Sequence, residues 1–364
     1  MTLKEFCLHL DSAVPLSFQE NWDNSGLQTG DPQAELTSAL LTLDVTEDVV
    51  DEAERFGCNV IVSHHPLIFS GIKKLTGQTA VERIVMKAIR ASIAIYSAHT
   101  NLDSVESGVS WQMAFRMGLK NVRTLQPLRN KLLKLVTFVP LSHADAVRNA
   151  IFEAGAGTIG HYDNCAYTLN GTGSFRAGEG TNPFSGEKGT VHFEEELRIE
   201  TVLYAHLKNR VVAALINAHP YEEVAYDLYV LENTNFNTGM GCIGELSTPV
   251  SEAEFISLTA SVFGAPHLRY SRLTGKPVRK VAMCGGAGSS LLNDAISSGA
   301  DVFITGDIKY HSYFEAENRI LMVDAGHFET EKFASEILYD LIIKKFPKFA
   351  VRFSGINTNP INYL

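Results

Sequence analysis

Positive charge is the scarcer sign in this 364-residue chain: 31 lysines and arginines stand against 41 aspartates and glutamates, for a formal net charge of −10. No lysine-rich tail or arginine–aromatic interleaving offsets that deficit, so generalised binding to nucleic acid is disfavoured. Long apolar runs are missing too, which argues against a membrane span. The start, MTLKEFCLHLDSAVP, carries Glu5 and Asp11 where a signal peptide would be apolar, and a cytoplasmic location is expected. The five cysteines, Cys7, Cys58, Cys165, Cys242 and Cys284, are dispersed and form no CxxC. They are expected to be reduced, mostly buried small hydrophobes. Neither a P-loop pattern nor a complete GxGxxG with its distal acid occurs. Gly285, Gly286 and Gly288 form only a GGxG turn, readable as an anion site or as a steric requirement.

What is present is an ordinary globular balance, 45% hydrophobic and 20% charged, on a chain long enough for two or three domains. The organising stretch runs from Gly57 to Leu67, GCNVIVSHHPL. Its Val-Ile-Val run predicts a short buried strand that delivers His64 and His65 at its carboxyl end. Successive side chains on a strand point to opposite faces, so both rings share one site only if the chain bends there, and Pro66 favours a bend.

The second half repeats this outline. SGADVFITGDIKYH, from Ser298 to His311, has a glycine, an apolar run, and then Gly306 and Asp307 where the first copy has His64 and His65. Each copy is followed by a second candidate strand, then a histidine with a carboxylate four residues on: His99 and Asp103 in SIAIYSAHTNLD, His327 and Glu331 in RILMVDAGHFETE. Two ordered matches argue for duplicated α/β halves that share a site.

Strand and helix patterns alternate over residues 1–127, with helices expected at 2–13, 47–56, 78–90 and 107–119. The last places Trp111, Phe115 and Leu119 on an apolar stripe. This rhythm favours a mostly parallel sheet covered on both faces, with ligands beyond the strands' carboxyl ends. Residues 128–232 change character and read as β-α-β-β-α-β, a ferredoxin-like order, with Ser142 as a possible helix cap. The expected fold is α/β: two related halves, 1–127 and 233–364, around a dinuclear metal site, with an inserted ferredoxin-like α+β domain at 128–232.

His64, His65, Asp103, His327 and Glu331 offer imidazole nitrogen and carboxylate oxygen, a donor set suited to zinc, manganese, iron or cobalt. Five such groups exceed the need of one tetrahedral ion. Two divalent ions sharing a carboxylate, Glu331 before Asp103, use them economically and could lower the pKa of a shared water for hydrolysis. Plainer roles stand beside this reading: Asp103 could cap a helix starting near Val105, and Glu331 could be a first-turn helix acid. His99 is expected to orient Asp103 or bind substrate. His311 is a candidate for substrate binding or proton transfer, and Asp307 or Asp324 for a hydrogen bond to a ligating imidazole.

Several motifs carry a wider resemblance: Trp22 to Leu27 (WDNSGL), Ser63 to Leu67 (SHHPL), Ser97 to Asp103 (SAHTNLD), Gly306 to His311 (GDIKYH) and Asp324 to Glu331 (DAGHFETE). In this order they resemble the Ngg-one-interacting-factor-three-like family, whose bacterial members are described as GTP cyclohydrolase I type 2 homologues. The resemblance implies that His64, His65, Asp103, His327 and Glu331 hold two divalent transition-metal ions per chain; zinc is the foremost expectation, and Glu331, His99 and His311 are the catalytic candidates. It also implies a toroidal homohexamer built as a trimer of dimers. Ile159 to Cys165 and His219 to Asp227 are similar to motifs of the PII-like or cation-tolerance-like insert of longer bacterial members. The implied function is metal-dependent hydrolysis of a small nucleotide or phosphorylated metabolite. The competing class is a noncatalytic metal-binding regulatory, metal-handling or scaffold assembly that takes a small-molecule effector.

Overall fold

The computed structural model describes residues 1–233, 238–265 and 267–363. The chain divides into two compact units, one made of Met1–Pro127 with Phe236–Leu364 and the other of Leu128–Asn235. The fold is mixed α/β, with three separate sheets among the described residues. No helix of the described residues is long and apolar enough to cross a membrane.

The first sheet belongs to the first unit. It contains β1 (Gly26–Thr29), β2 (Ser38–Thr42), β3 (Val60–Ser63), β4 (Ala94–Ser97) and β15 (Ala350–Phe353), in the order β1-β4-β3-β2-β15. β15, β2, β3 and β4 run parallel, and β1 closes the edge antiparallel to β4. Both faces are covered, so β2, β3 and β4 read as nearly continuous apolar runs. Val60 and Val62 enter a core that also takes Phe6, Leu10 and Tyr96, whereas Ile61 and Ile95 point to the opposite face, against Val49, Ala53, Ile84 and Ala88. The helix Glu47–Phe56 that leads into β3 begins where Thr46 accepts the Val49 amide and stops at Gly57, whose left-handed φ of 68° releases the chain.

The second sheet, in the same unit, holds β5 (Lys120–Pro127), β10 (Gly239–Val250), β11 (Arg269–Tyr270), β12 (Val278–Met283), β13 (Val302–Thr305) and β14 (Leu321–Asp324), in the order β11-β14-β13-β12-β10-β5. Here β12, β13 and β14 are parallel, and the other three pairings are antiparallel. The parallel expectation therefore holds for β15-β2-β3-β4 and for β14-β13-β12, and fails for β1, β11, β10 and β5. β1, β5, β10, β11 and β15 were not anticipated. β5 has four exposed positions among its eight, and β10 is interrupted by glycines, so neither shows a clean apolar run. Val302, Ile304 and Val323 join the same core as Val60 and Val62.

The other unit carries β6 (Leu132–Pro140), β7 (Ala166–Arg176), β8 (Val191–Tyr204) and β9 (Tyr226–Leu231), antiparallel throughout in the order β7-β8-β6-β9. Helices Ala144–Glu153 and Lys208–Ala218 bury Val147, Ile151, Val211 and Leu215 against Leu135, Val139 and Ile199. Ser142 does not cap the first helix. It lies in a 3₁₀ turn, with its hydroxyl 2.9 Å from His143 Nδ1.

One helix differs from expectation in its facing. Val109–Arg116 buries Val109, Ser110, Met113 and Ala114, leaving Phe115 79% exposed. The buried stripe runs through 109, 113 and 117; Trp111 is half-buried at its margin against the same core, and Phe115 falls outside it.

Candidate metal centre

The carboxyl ends of β3, β4, β13 and β14 supply the site. Beyond β3 the His64 and His65 amides still bond to Thr42 and Leu43 carbonyls of the neighbouring strand, while Ser63 Oγ donates to the His65 carbonyl at 2.8 Å and folds the chain back. That bend brings the two rings to 5.1 Å between centroids, so adjacent histidines reach one place. After β4, the Ala98 amide bonds to the Ser63 carbonyl at 2.9 Å; after β14, the Ala325 amide bonds to the Thr305 carbonyl at the same distance. The two segments share this hydrogen bond at their strand ends, but their histidines are not equivalent. His99 lies two residues beyond Ser97, before the short helix Thr100–Asp103, whereas His327 lies three beyond Asp324 and opens His327–Glu331.

Asp103 does not cap the following helix, which begins after Gly108. Glu331 closes its helix and is no first-turn acid. Both are buried.

Glu331 is the centre of the arrangement. Its Oε2 lies 2.8 Å from His65 Nε2 and 2.9 Å from His327 Nε2, and those two nitrogens are 3.3 Å apart. Its Oε1 lies 3.7 Å from His64 Nε2, which is in turn 3.8 Å from Asp103 Oδ1. His64 Nε2 and Asp103 Oδ1 are fully buried without a hydrogen-bond partner among the described residues, an arrangement that costs free energy unless something else satisfies them. Two ligand atoms about 2.0–2.2 Å from one ion at tetrahedral angles stand roughly 3.3–3.6 Å apart, close to the 3.3, 3.7 and 3.8 Å separations, while the 2.8 and 2.9 Å contacts of Glu331 Oε2 are hydrogen bonds. The two triads, His64–Asp103–Glu331 and His65–His327–Glu331, therefore have the donor chemistry and spacing of metal-ligand clusters, with Glu331 common to both. A third triad, His64–His65–His99, overlaps them.

Each imidazole is fixed from behind. Nδ1–H of His64 donates to the Ala98 carbonyl at 2.8 Å, of His65 to Asp44 at 2.7 Å, of His327 to Asp307 at 2.7 Å and of His99 to Asp23 at 2.8 Å. Carbonyl and carboxylate partners favour the proton on Nδ1, so a neutral ring turns its Nε2 lone pair to the site; in the protonated rings of His65 and His327, Nε2–H donates to Glu331 instead. Asp307 plays the role anticipated for it. Asp324 instead pairs with Arg269 and accepts the Ile308 amide. Asp44 and Asp23 were missed as partners, although Asp44 follows the strand adjacent to β3 and that position is itself a signal.

The local field favours added positive charge. Burial opposes protonation of His65, but hydrogen bonds to Asp44 and Glu331 outweigh it and lift the group to about 10. His327 is likewise lifted, against burial, to about 9 by Glu331 and Asp307. Burial and the neighbouring Glu331 raise Asp103 to about 8. Glu331, despite burial, is held well below the usual carboxylate range by the surrounding imidazoles. A cluster that traps protons in this way is one in which a cation can replace them.

The cluster floors a cavity of about 630 Å³ whose wall includes Trp22, Phe69, His99, Asp307, Phe328 and Ile361. His311 is not among the described lining residues; it is exposed and packs edge-on against Tyr310. The glycine turn is steric. The amides of Gly285, Gly286 and Gly288 bond to Ser110, Thr330 and Thr305, and a Cβ on Gly286 would lie 2.0 Å from Glu331 Oε1. Cys7, Cys58, Cys242 and Cys284 are buried and Cys165 is half-buried. Cys284 lines the cavity, but burial and the nearby carboxylates push its thiol up, away from a thiolate ligand.

A profile of the family described as Duf34/NIF3 (NGG1p interacting factor 3) matches residues 1–360. A Halalkalibacterium halodurans protein described as GTP cyclohydrolase 1 type 2 homolog is 41% identical over 356 residues, spanning 96% of this chain and 95% of that protein. A Bacillus subtilis protein of the same description is 35% identical over 360 residues, with 96% and 95% covered. Among solved structures, a Bacillus cereus protein related to NIF3 superposes with a TM-score of 0.87 at 37% identity, covering 100% of this chain and 99% of that one.

Proposed function

The chain belongs to the Duf34/NIF3 family, and from that premise we propose that it holds two divalent transition-metal ions, zinc foremost, and hydrolyses a small nucleotide or phosphorylated metabolite. The observation that carries the reading is the buried pair of unpartnered atoms, His64 Nε2 and Asp103 Oδ1, facing a carboxylate whose other oxygen meets His65 and His327. His64, Asp103 and Glu331 would hold one ion, and His65, His327 and Glu331 the other. When bound, such a pair supplies Lewis acidity and lowers the pKa of water.

The chain's own residues set the rest. Asp44 and Asp307 hold two imidazoles in the liganding tautomer. Asp23, kept ionised against burial by hydrogen bonds from His99 and Thr100, orients His99 so that its Nε2 can take or give a proton at the cavity wall. His311, exposed and outside the described cavity lining, has no part in this scheme.

The 128–232 segment is read as an inserted ferredoxin-like, PII-like domain between core halves 1–127 and 233–364, in a cytoplasmic homohexamer assembled as a trimer of dimers. A second, regulatory reading is favoured by one observation. The Leu128–Asn235 unit has its own cavity of about 630 Å³, walled by Phe138, Phe175, Phe184 and Tyr221 with Arg198 and Glu196, which would suit an effector.

The test is elemental analysis of gently purified protein, before and after reconstitution, for wild type and for His65→Ala and Glu331→Gln variants of unchanged oligomeric state. The expected result is about two ions per wild-type chain, fewer in both variants, and metal-dependent turnover lost in Glu331→Gln during a screen of nucleotides and phosphoesters. A wild-type chain that fails to load metal would sink the reading. Reversible metal or effector binding without turnover would transfer it to the regulatory alternative.

A further inference from the structure

The cavity over the metal cluster carries a marked chemical bias. At its wall stand two large aromatic side chains that the fold does not bury: Trp22 is 57% exposed and Phe69 52%. Their ring centroids are 5.7 Å apart at an interplanar angle of 34°, and both present to His99, at 6.0 and 6.3 Å. They come from different loops that are tied together. Asn24 Nδ2 donates to the Ile68 carbonyl at 2.6 Å, and the Ile68 amide donates to Gln28 Oε1 at 3.2 Å. An exposed aromatic pair held by its supporting loops is a preorganised surface for a flat ligand.

The charge on the same wall excludes a different ligand. Glu20, Asp44, Asp103, Asp307 and Glu331 line the cavity, and no lysine or arginine does so among the described residues. Residues 234–237, 266 and 364, which lie outside the description, include no lysine or arginine either. The glycine turn offers no anion nest, because the Gly285, Gly286 and Gly288 amides are already bonded. Two divalent ions would bring four positive charges to these five carboxylates, which leaves the loaded cavity near neutrality. A triphosphate needs more compensation than that.

We infer that the cavity takes a planar heteroaromatic molecule, stacked on Trp22 and Phe69 and bearing no more than one phosphate group, and that it discriminates against triphosphates. The inference rests on the proposed metal centre and narrows its substrate class.

The test uses the metal-loaded full chain with guanosine, guanosine monophosphate, guanosine triphosphate and ribose 5-phosphate as probes. Calorimetry reads binding, and metal content is measured on the same samples. Guanosine and its monophosphate are expected to bind alike, with the triphosphate about tenfold weaker or more and ribose 5-phosphate weakest. Trp22→Ala and Phe69→Ala are each expected to weaken guanosine binding by about tenfold at unchanged metal content. Both positions are half exposed, so folding survives either change. The inference is overturned by affinity that climbs with phosphate number, by guanosine binding indifferent to both substitutions, or by no guanosine binding to a metal-loaded chain. Failure of the metal reading looks different: the wild type loads no ions. Guanosine binding that then still depends on Trp22 would support the ring platform, and its absence would overturn that too.

Discussion

Replacing Gly286 by alanine tests the shared carboxylate without touching a ligand. A Cβ there would lie 2.0 Å from Glu331 Oε1 and 3.3 Å from His327 Nε2, where ordinary contact begins at 3.4 Å, so Oε1 must retreat by about 1.4 Å. The backbone cannot yield in its place. Its amide donates to Thr330 Oγ1 at 3.0 Å, and its carbonyl accepts from Thr305 Oγ1 at 2.8 Å and from the Gly306 amide at 2.7 Å. Gly286 also has φ +59°, so the substitution costs about 1 kcal/mol in backbone strain alone. Gly57→Ala separates the two effects, because its φ is +68° and no atom of the described residues lies within 4 Å of the new Cβ. Gly57→Ala should lose about 1 kcal/mol in denaturant titrations, and Gly286→Ala more, because it also displaces the buried Glu331 carboxylate. Only Gly286→Ala should lose metal, with affinity falling by at least the ~10–100-fold that loss of an outer hydrogen-bond partner produces. Metal content after dialysis against a weak chelator reads the difference. Wild-type loading in Gly286→Ala, or equal loss in both variants, would refute a liganding role for Glu331.

Asp44→Asn removes the charge behind His65 and should lower metal affinity ~10–100-fold in a competition assay with a fluorescent chelator, with the fold unchanged by circular dichroism. The metal-free protein should lose stability as pH rises. His65 and His327, raised to about 10 and about 9, contribute stabilisation that is complete below their unfolded value near 6.5 and lost through pH 9–10, and Asp103, raised to about 8, acts with the same sign. The melting difference between loaded and metal-free protein should therefore widen between pH 6 and pH 9.5, and a narrowing would contradict the protonation scheme. Away from the site, buried Glu252 accepts from the Thr274 amide at 2.7 Å, the Thr274 hydroxyl at 2.9 Å and the Gly275 amide at 2.9 Å. Glu252→Ala should destabilise by about 3 kcal/mol in urea titrations, whereas a loss below about 1 kcal/mol would mean that solvent replaces those bonds.

Much of the candidate centre was legible because the residues that cluster there fall where buried strands end. Val-Ile-Val before His64 and Val-Phe-Ile before Gly306 are short apolar runs with a sharp polar end, and that contrast needs no tertiary information. The matched spacing of His99–Asp103 with His327–Glu331 was partly a coincidence, since the strand-end hydrogen bonds align Ala98 with Ala325 and leave the two histidines one residue out of register. The supporting carboxylates were harder to see. Asp44 and Asp23 lie 21 and 76 residues from the rings they hold, so only the sheet and its loops pair them. The facing of Val109–Arg116 misled because three aromatic or aliphatic side chains at four-residue spacing imitate a buried stripe, while the contacts made by Met113 and Val109 set the rotation.

The centre also joins two sheets that the sequence writes 266 residues apart, His65 in the first half and Glu331 in the second. Neither half alone holds either complete triad, so metal affinity depends on both sheets being folded and docked in the Met1–Pro127 and Phe236–Leu364 unit. Binding must then stabilise that unit by linkage, about 4 kcal/mol for one site at a free ion concentration a thousandfold above its dissociation constant. The Leu128–Asn235 unit contributes no residue to the clusters found among the described residues and gains nothing by the same route. Scanning calorimetry with and without a chelator should accordingly move one transition to lower temperature and leave another in place. Two transitions displaced equally, or a profile indifferent to the chelator, would show that the ions are not held by the strand ends of both sheets.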